Sequence, residues 1–299
     1  MPTFGVHTGM QNTTVDELRD LWRRAEDGGF DAISVWDHIY SSDLRSYDCH
    51  EAVAMHTALA CATSRARCGC LVYCAGYRHP GVLAKAVATI DHLSAGRAEI
   101  GLGAGWAEVE YAAYGFPFWP TGERLDLLDE TAGAVRSLLR REVTDVDGTY
   151  IRLTDARLEP RPIQPDLPIW IGGAGERRTA RIVAQHGDGW SVPFVAPDGL
   201  ARKREVLEEH CGAVGRDPRD VQLAVNVAFC DDDASLAAQF GPRAEAIGPG
   251  AVVGTSVDQA VDALGRYLDA GADQVHVALR APWDHDALDR AAMAVALVR

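Results

Sequence analysis

Along this chain, short apolar runs alternate with longer segments in which apolar residues recur every three or four positions, the pattern of strands followed by amphipathic helices. Eight runs read as strands: Thr3–Thr8, Ala32–Trp36, Arg67–Tyr73, Ala98–Gly103, Pro168–Gly172, Asp188–Val192, Val221–Phe229 and Gln274–Leu279. Strands separated by helices predict a parallel sheet, and eight of them predict an α/β (β/α)8 TIM barrel. An open doubly wound sheet would need a topological switch point that the sequence does not display. The helical segments carry their own start and stop signals. Thr14 with Glu17 forms a capping box before LRDLWRRAEDGGF, Gly28 and Gly29 stop that helix, and Pro80 opens GVLAKAVATIDHL.

No low-complexity linker divides the sequence, so one domain over residues 1–299 is expected, with insertions near 143–167 and 230–254. The first insertion reads as a hairpin turning at Asp147-Gly148, the second as an acidic excursion after the seventh strand. Loops that follow barrel strands lie on the catalytic face, so both are candidate walls of a substrate pocket.

Composition narrows the function. The 299 residues are 47% hydrophobic and carry a net charge of -14, which disfavours nucleic acid and anionic membrane surfaces as partners. The start, MPTFGVHTGM, shows neither a basic nor an apolar targeting segment, and no apolar run is long enough to span a bilayer, so a cytoplasmic location is expected. Seven cysteines is an odd number in a chain too large to need disulfide staples, and they read as reduced thiols.

Candidate chemistry sits at strand ends. Trp36-Asp37-His38 closes the second strand; Asp37 could orient or charge His38, or merely cap the next segment. His7 ends the first strand and is a second proton-relay candidate. Cys68 and Cys70 share a strand face and read as buried apolar residues, with no companion pair at zinc spacing; no metal site is expected. Arg78 and His79 stand at a helix start where an anion could bind, and Arg161 and Arg280 are further anion candidates. Gly101, Gly103 and Gly105 have G-x-G-x-G spacing, which is not a dinucleotide fingerprint; glycines there could admit a flat ring, with Trp106 as a wall and Trp190 shaping the same cleft. Gly172-Gly173-Ala174-Gly175 runs straight into a helix with Arg177 and Arg178, forming a candidate nest for phosphate.

The blocks VWDH, LVYCAGYRHPGVLAKAVATIDHLSAGRAEIGLGAGW, YGFPF with GERLDLLDE, and DARLEPRPIQPDLPIWIGGAGERRTARIVAQHGDGW resemble the bacterial luciferase-like monooxygenase family. They are most similar to its branch of oxidoreductases dependent on coenzyme F420, an 8-hydroxy-5-deazaflavin. The resemblance implies a homodimeric barrel with the cofactor across its C-terminal mouth and hydride transfer between the deazaflavin C5 and a small organic substrate. Position by position, it implies that Asp37 and His38 flank the ring. It implies also that Cys70-Leu71-Val72 forms a bulge, often with a non-prolyl cis peptide, that backs the ring, and that Gly172 to Gly175 hold the cofactor phosphate. Two departures stand out: Trp106 occupies the place of the catalytic glutamate of sugar-phosphate dehydrogenases, and the only lysines are Lys85 and Lys203. The alternatives are an FMN-dependent monooxygenase using dioxygen and a non-catalytic flavin-binding homologue. A metal-dependent barrel hydrolase is disfavoured, because His7 has no paired ligand two residues away.

Overall fold

The computed structural model describes residues 1–41, 46–254 and 256–299. Its strands are β1 (Thr3–Thr8), β2 (Ala32–Val35), β3 (Arg67–Cys74), β4 (Ala98–Gly103), β5 (Thr144–Asp147), β6 (Arg152–Ala156), β7 (Ile169–Gly172), β8 (Gly189–Pro193), β9 (Gln222–Cys230), β10 (Ala251–Val253) and β11 (Gln274–Leu279). The helices that position the site are α1 (Val15–Asp27), α2 (Ala52–Ala62), α3 (Pro80–Leu93), α4 (Glu108–Tyr114), α5 (Thr121–Arg140), α6 (Arg178–His186), α7 (Pro197–Ala213) and α8 (Asp233–Phe240). Parallel pairing runs β9-β11-β1-β2-β3-β4-β7-β8, and β8 returns to β9, closing a (β/α)8 TIM barrel of eight strands. The eight predicted runs are these eight strands, each end displaced by no more than a residue.

Local signals explain the helix ends. The Thr14 hydroxyl accepts the Glu17 N–H while the Glu17 carboxylate accepts the Thr14 N–H, and Gly29 leaves α1 at φ 88°, a left-handed conformation suited to glycine. Pro80 occupies the first turn of α3, with His79 as its N-cap.

The main apolar core fills the space between the strands and their helices, with Trp22, Phe4, Leu21 and Trp190 fully buried there. Inside the barrel only a small cluster of Leu71, Trp170 and Ala224, with Val72 packed on it, is apolar. Polar side chains in the interior bond one another: His7 Nδ1 lies 2.9 Å from Ser34 Oγ, and Trp170 Nε1 donates to Glu99 at 3.0 Å, while His276 Nδ1 has no partner. This shallow filling leaves the C-terminal mouth open above Val72.

The two insertions have different fates. The hairpin β5–β6 forms as expected, its turn held by the Glu130 carboxylate, which accepts the N–H groups of Thr149, Tyr150 and Ile151. It follows α5 rather than a strand, packs on that helix, and is not a wall of the mouth, which corrects the sequence reading. The excursion after β9 adds α8, a further short helix (Ala244–Ile247) and β10, which pairs with the free upper end of β9. It brings Phe240 and Arg243 over the mouth.

Candidate active site

A cavity of about 350 Å³ opens at the C-terminal ends of the barrel strands. Of the residues singled out from sequence, His7, Asp37, His38, Leu71, Val72, Gly103, Gly105, Trp106, Gly172 and Gly173 line it. Cys70 does not; its side chain is buried in the main core beneath the bulge. Ala174, Gly175 and Arg177 also stand outside the cavity, exposed on the loop before α6. Trp190 is fully buried and donates its indole N–H to Gly173 O at 2.7 Å, so it braces the turn from behind, and Trp36 takes the place expected for it in the cleft.

His38 is not served by its neighbour. Its Nδ1 lies 2.9 Å from Glu110 Oε1, whereas the Asp37 carboxylate turns away to Arg78 and the Cys74 N–H. Glu110 comes from the first turn of α4, is 0% exposed, and also accepts Tyr77 Oη at 2.6 Å and the Tyr40 N–H at 3.2 Å. Burial pushes the Glu110 carboxyl up, but the bonds from His38, Tyr77 and Tyr40 outweigh it and hold the group below its ordinary value. An ionised carboxylate can only accept, so His38 Nδ1 carries the proton and Nε2 is left as the acceptor. The His38 ring stands edge-on between Trp36 and Trp106, with centroids 5.0 and 5.1 Å away. Glu110 is not among the residues expected from sequence; its signal is the second acid of AEVEYAAY, four residues beyond Trp106 and next to Tyr111.

Burial raises the Asp37 carboxyl, and Arg78 and the Cys74 N–H oppose that rise. Its structural task is to lock β3 to the loop after β2. Arg78 spends its second arm on Glu51, and the His79 side chain accepts the Gly81 N–H, so this helix start is not an anion site. Arg161 is likewise consumed, capping the carbonyls of Leu138, Leu139 and Arg141 at the end of α5. His7 is buried, and desolvation followed by the charges of Arg280, His276 and His38 holds it well below the ordinary histidine value. It is therefore a neutral hydrogen-bonding group at neutral pH.

Between Cys70 and Tyr73 the register against β4 slips, producing a bulge in which the Leu71–Val72 peptide is cis. The bulge aims Val72 into the cavity. A Cβ on Gly103 would lie 2.6 Å from Val72 Cγ2 and one on Gly172 2.8 Å from Val72 Cγ1, while one on Gly105 would strike Tyr111 Oη at 2.2 Å. These glycines make room for the chain's own side chains; the expectation that they directly admit a ring is corrected accordingly. Gly173 has φ 130°, a conformation that other residues resist. Its N–H is committed to Ser191 O, so the nest is less open than predicted, but α6 begins with no side-chain cap on its first turn. An uncapped first turn is the kind of group that can receive a phosphate, and Val72, Trp36 and Trp106 present apolar surfaces to the same cavity.

Among the described residues no group of three or more His, Cys, Asp or Glu could hold a metal ion, and no helix is long and apolar enough to cross a membrane. Residues 1–295 match the family described as luciferase-like monooxygenase. An uncharacterised protein of Mycobacterium tuberculosis is 32% identical over 179 residues, covering 60% of this chain and 62% of that relative. The match to such relatives thus spans about three fifths of their length. A protein of Kineococcus radiotolerans named F420-dependent glucose-6-phosphate dehydrogenase is 31% identical over 240 residues, 77% of this chain and 69% of its own. A solved F420-dependent secondary alcohol dehydrogenase in complex with an F420-acetone adduct shares the fold with a TM-score of 0.88 at 21% identity, over 100% of this chain and 99% of that one. With the family matched over nearly its whole length, this chain belongs to the luciferase-like monooxygenases.

Proposed function

We propose that the protein is an oxidoreductase dependent on coenzyme F420 that oxidises or reduces a small organic substrate at the barrel mouth. The observation that carries this reading is the meeting, at one cavity, of His38 backed by Glu110, the Val72 bulge and Thr179 of the uncapped first turn of α6. Similarity to relatives named for the same cofactor supports it. When bound, the deazaflavin supplies the carbon that accepts or donates hydride.

The chain's own residues do the rest. Val72 backs the ring and the first turn of α6, with Gly173 allowing the bend, receives the phosphate. His38 Nε2 takes the hydroxyl proton of an alcohol substrate as its carbinol carbon becomes a carbonyl, and returns that proton in the reverse direction. Glu110 keeps the imidazole in the tautomer that leaves Nε2 open and stabilises the imidazolium that forms, while Tyr77 fixes Glu110. Trp36 and Trp106 keep water from the ring of His38.

The test is turnover without oxygen: oxidised F420 with a panel of secondary alcohols, and reduced F420 with the corresponding ketones, followed by deazaflavin absorbance. Turnover in either direction supports the reading. Turnover only with reduced FMN and dioxygen overturns it in favour of a monooxygenase.

A further inference from the structure

Among the described residues, Arg280 in the cavity has no carboxylate partner. Arg280 ends β11, is only 3% exposed, and lines the mouth. Its guanidinium lies 4.0 Å from the Trp36 ring centroid and 5.4 Å from that of Phe240. Nη1 is spent on two carbonyls, His7 O at 3.0 Å and Leu279 O at 2.7 Å. Nε has no acceptor, and Nη2 donates to no protein group among the described residues. No carboxylate among the described residues answers this charge. Of those residues, the acid lining the cavity, Asp37, is bound to Arg78, and the nearby Glu110 is bound to His38, Tyr77 and Tyr40.

A buried charge is normally paired, because removal from water is costly and aromatic faces with neutral carbonyls repay only part of the loss. Burial accordingly draws Arg280 down to about 9, and the charge of Arg243 adds to the fall. Arg243, reaching in from the excursion, stacks on Trp106 at 3.7 Å at the outer edge of the same cavity.

Position decides which ligand this charge serves. In the closed order of strands, β11 lies four strands from β4 in either direction, so Arg280 faces β3, β4 and β7, the wall that carries Val72, Gly103 and Gly173. The guanidinium therefore stands on the side of the mouth left to substrate, between the apolar surfaces of Trp36, Trp106 and Phe194. Resting on the cofactor reading for the assignment of the two walls, we propose that the substrate is an apolar or aromatic carboxylate whose carboxylate end docks on Arg280. A planar carboxylate suits a guanidinium held over the Trp36 ring, and the apolar body of the ligand is matched by the surrounding rings.

Benzoate and its neutral isostere benzamide are the probes, titrated calorimetrically into the full chain at neutral pH, alone and with F420 bound. Benzoate binding at least tenfold tighter than benzamide is expected, with the preference lost in Arg280→Gln while affinity for F420 stays within twofold. Benzoate binding no tighter than benzamide, including binding of neither, overturns the proposal. So does a preference that survives in Arg280→Gln, or an Arg280→Gln variant that loses F420 instead, which would assign the arginine to the cofactor. Should that variant not fold, benzoate labelled with 13C at the carboxyl decides on the wild type: its pKa falls on binding if it meets the guanidinium, and an unchanged value refutes the contact. If F420 fails to bind but the benzoate preference and its loss in Arg280→Gln persist, the anion site stands and the cofactor reading alone falls.

Discussion

Glu110→Gln is the perturbation that separates a site built around His38 from a histidine that merely fills a loop. The substitution keeps size and shape but replaces an ionised acceptor, 0% exposed, with a neutral amide. All three bonds it receives, from His38 at 2.9 Å, Tyr77 at 2.6 Å and the Tyr40 N–H at 3.2 Å, lose charge assistance. Such bonds are worth about 1.5–3 kcal/mol against about 0.5–1.5 for neutral ones, so the three together lose about 3 kcal/mol, partly offset by the desolvation that the amide avoids. A net destabilisation of about 1–2 kcal/mol, or about 2–3 °C in Tm for a chain of 299 residues, is expected at neutral pH. The pH dependence has a definite sign. The folded state holds Glu110 below its ordinary value of 4.5, so the carboxylate's contribution is full above that pH and lost as pH falls through the lower folded value. The gap between wild type and variant is therefore constant near neutrality and narrows in acid. Urea denaturation at several pH values reads this gap. Nitrogen-15 spectra of the histidines read the second consequence, since His38 should leave a single Nδ1–H tautomer for a mixture. An unchanged tautomer together with unchanged stability would refute the claim that Glu110 organises His38.

Two other substitutions probe the same cavity. His38→Ala should lower turnover by about 100-fold, the scale of a lost acid–base group, with the fold intact by circular dichroism; steady-state kinetics equal to wild type would return His38 to a structural role. Gly103→Ala should cost about 1–3 kcal/mol by overpacking against Val72, and Val72→Ala in the same chain should recover most of it, so additive losses in the double variant would show that the two residues do not compete for one space.

The barrel was legible because its signals are local. Eight short apolar runs, each followed by a helix with its own cap, leave few arrangements open, and strand ends fell within a residue of their expected positions. The site was legible only where a strand end forced a residue to the mouth, as for His7, His38 and Gly173. Partnerships across the barrel were not. Asp37 is adjacent to His38 in sequence, but adjacent residues leave a strand end in different directions, and Asp37 went to Arg78 while Glu110 arrived from 72 residues away. Three arginines suggested as anion partners looked alike in sequence. Arg78 met two carboxylates, Arg161 spent its donors on the carbonyls at a helix end, and Arg280 kept an Nε with no acceptor among the described residues, a distinction that depends on which chain segments pack around each guanidinium. The glycines near β4 misled for a related reason, since the bulge that places Val72 against them is a tertiary feature with no local sequence signature.

The central claim, that this cavity holds the deazaflavin, is tested most directly by titrating coenzyme F420 and FMN separately into the purified protein at equal concentrations. Quenching of tryptophan fluorescence reports binding, because Trp36 and Trp106 line the cavity. The account predicts a colourless preparation that binds F420 at least tenfold more tightly than FMN; a yellow preparation carrying stoichiometric FMN, or an FMN affinity equal to or above that for F420, would contradict it.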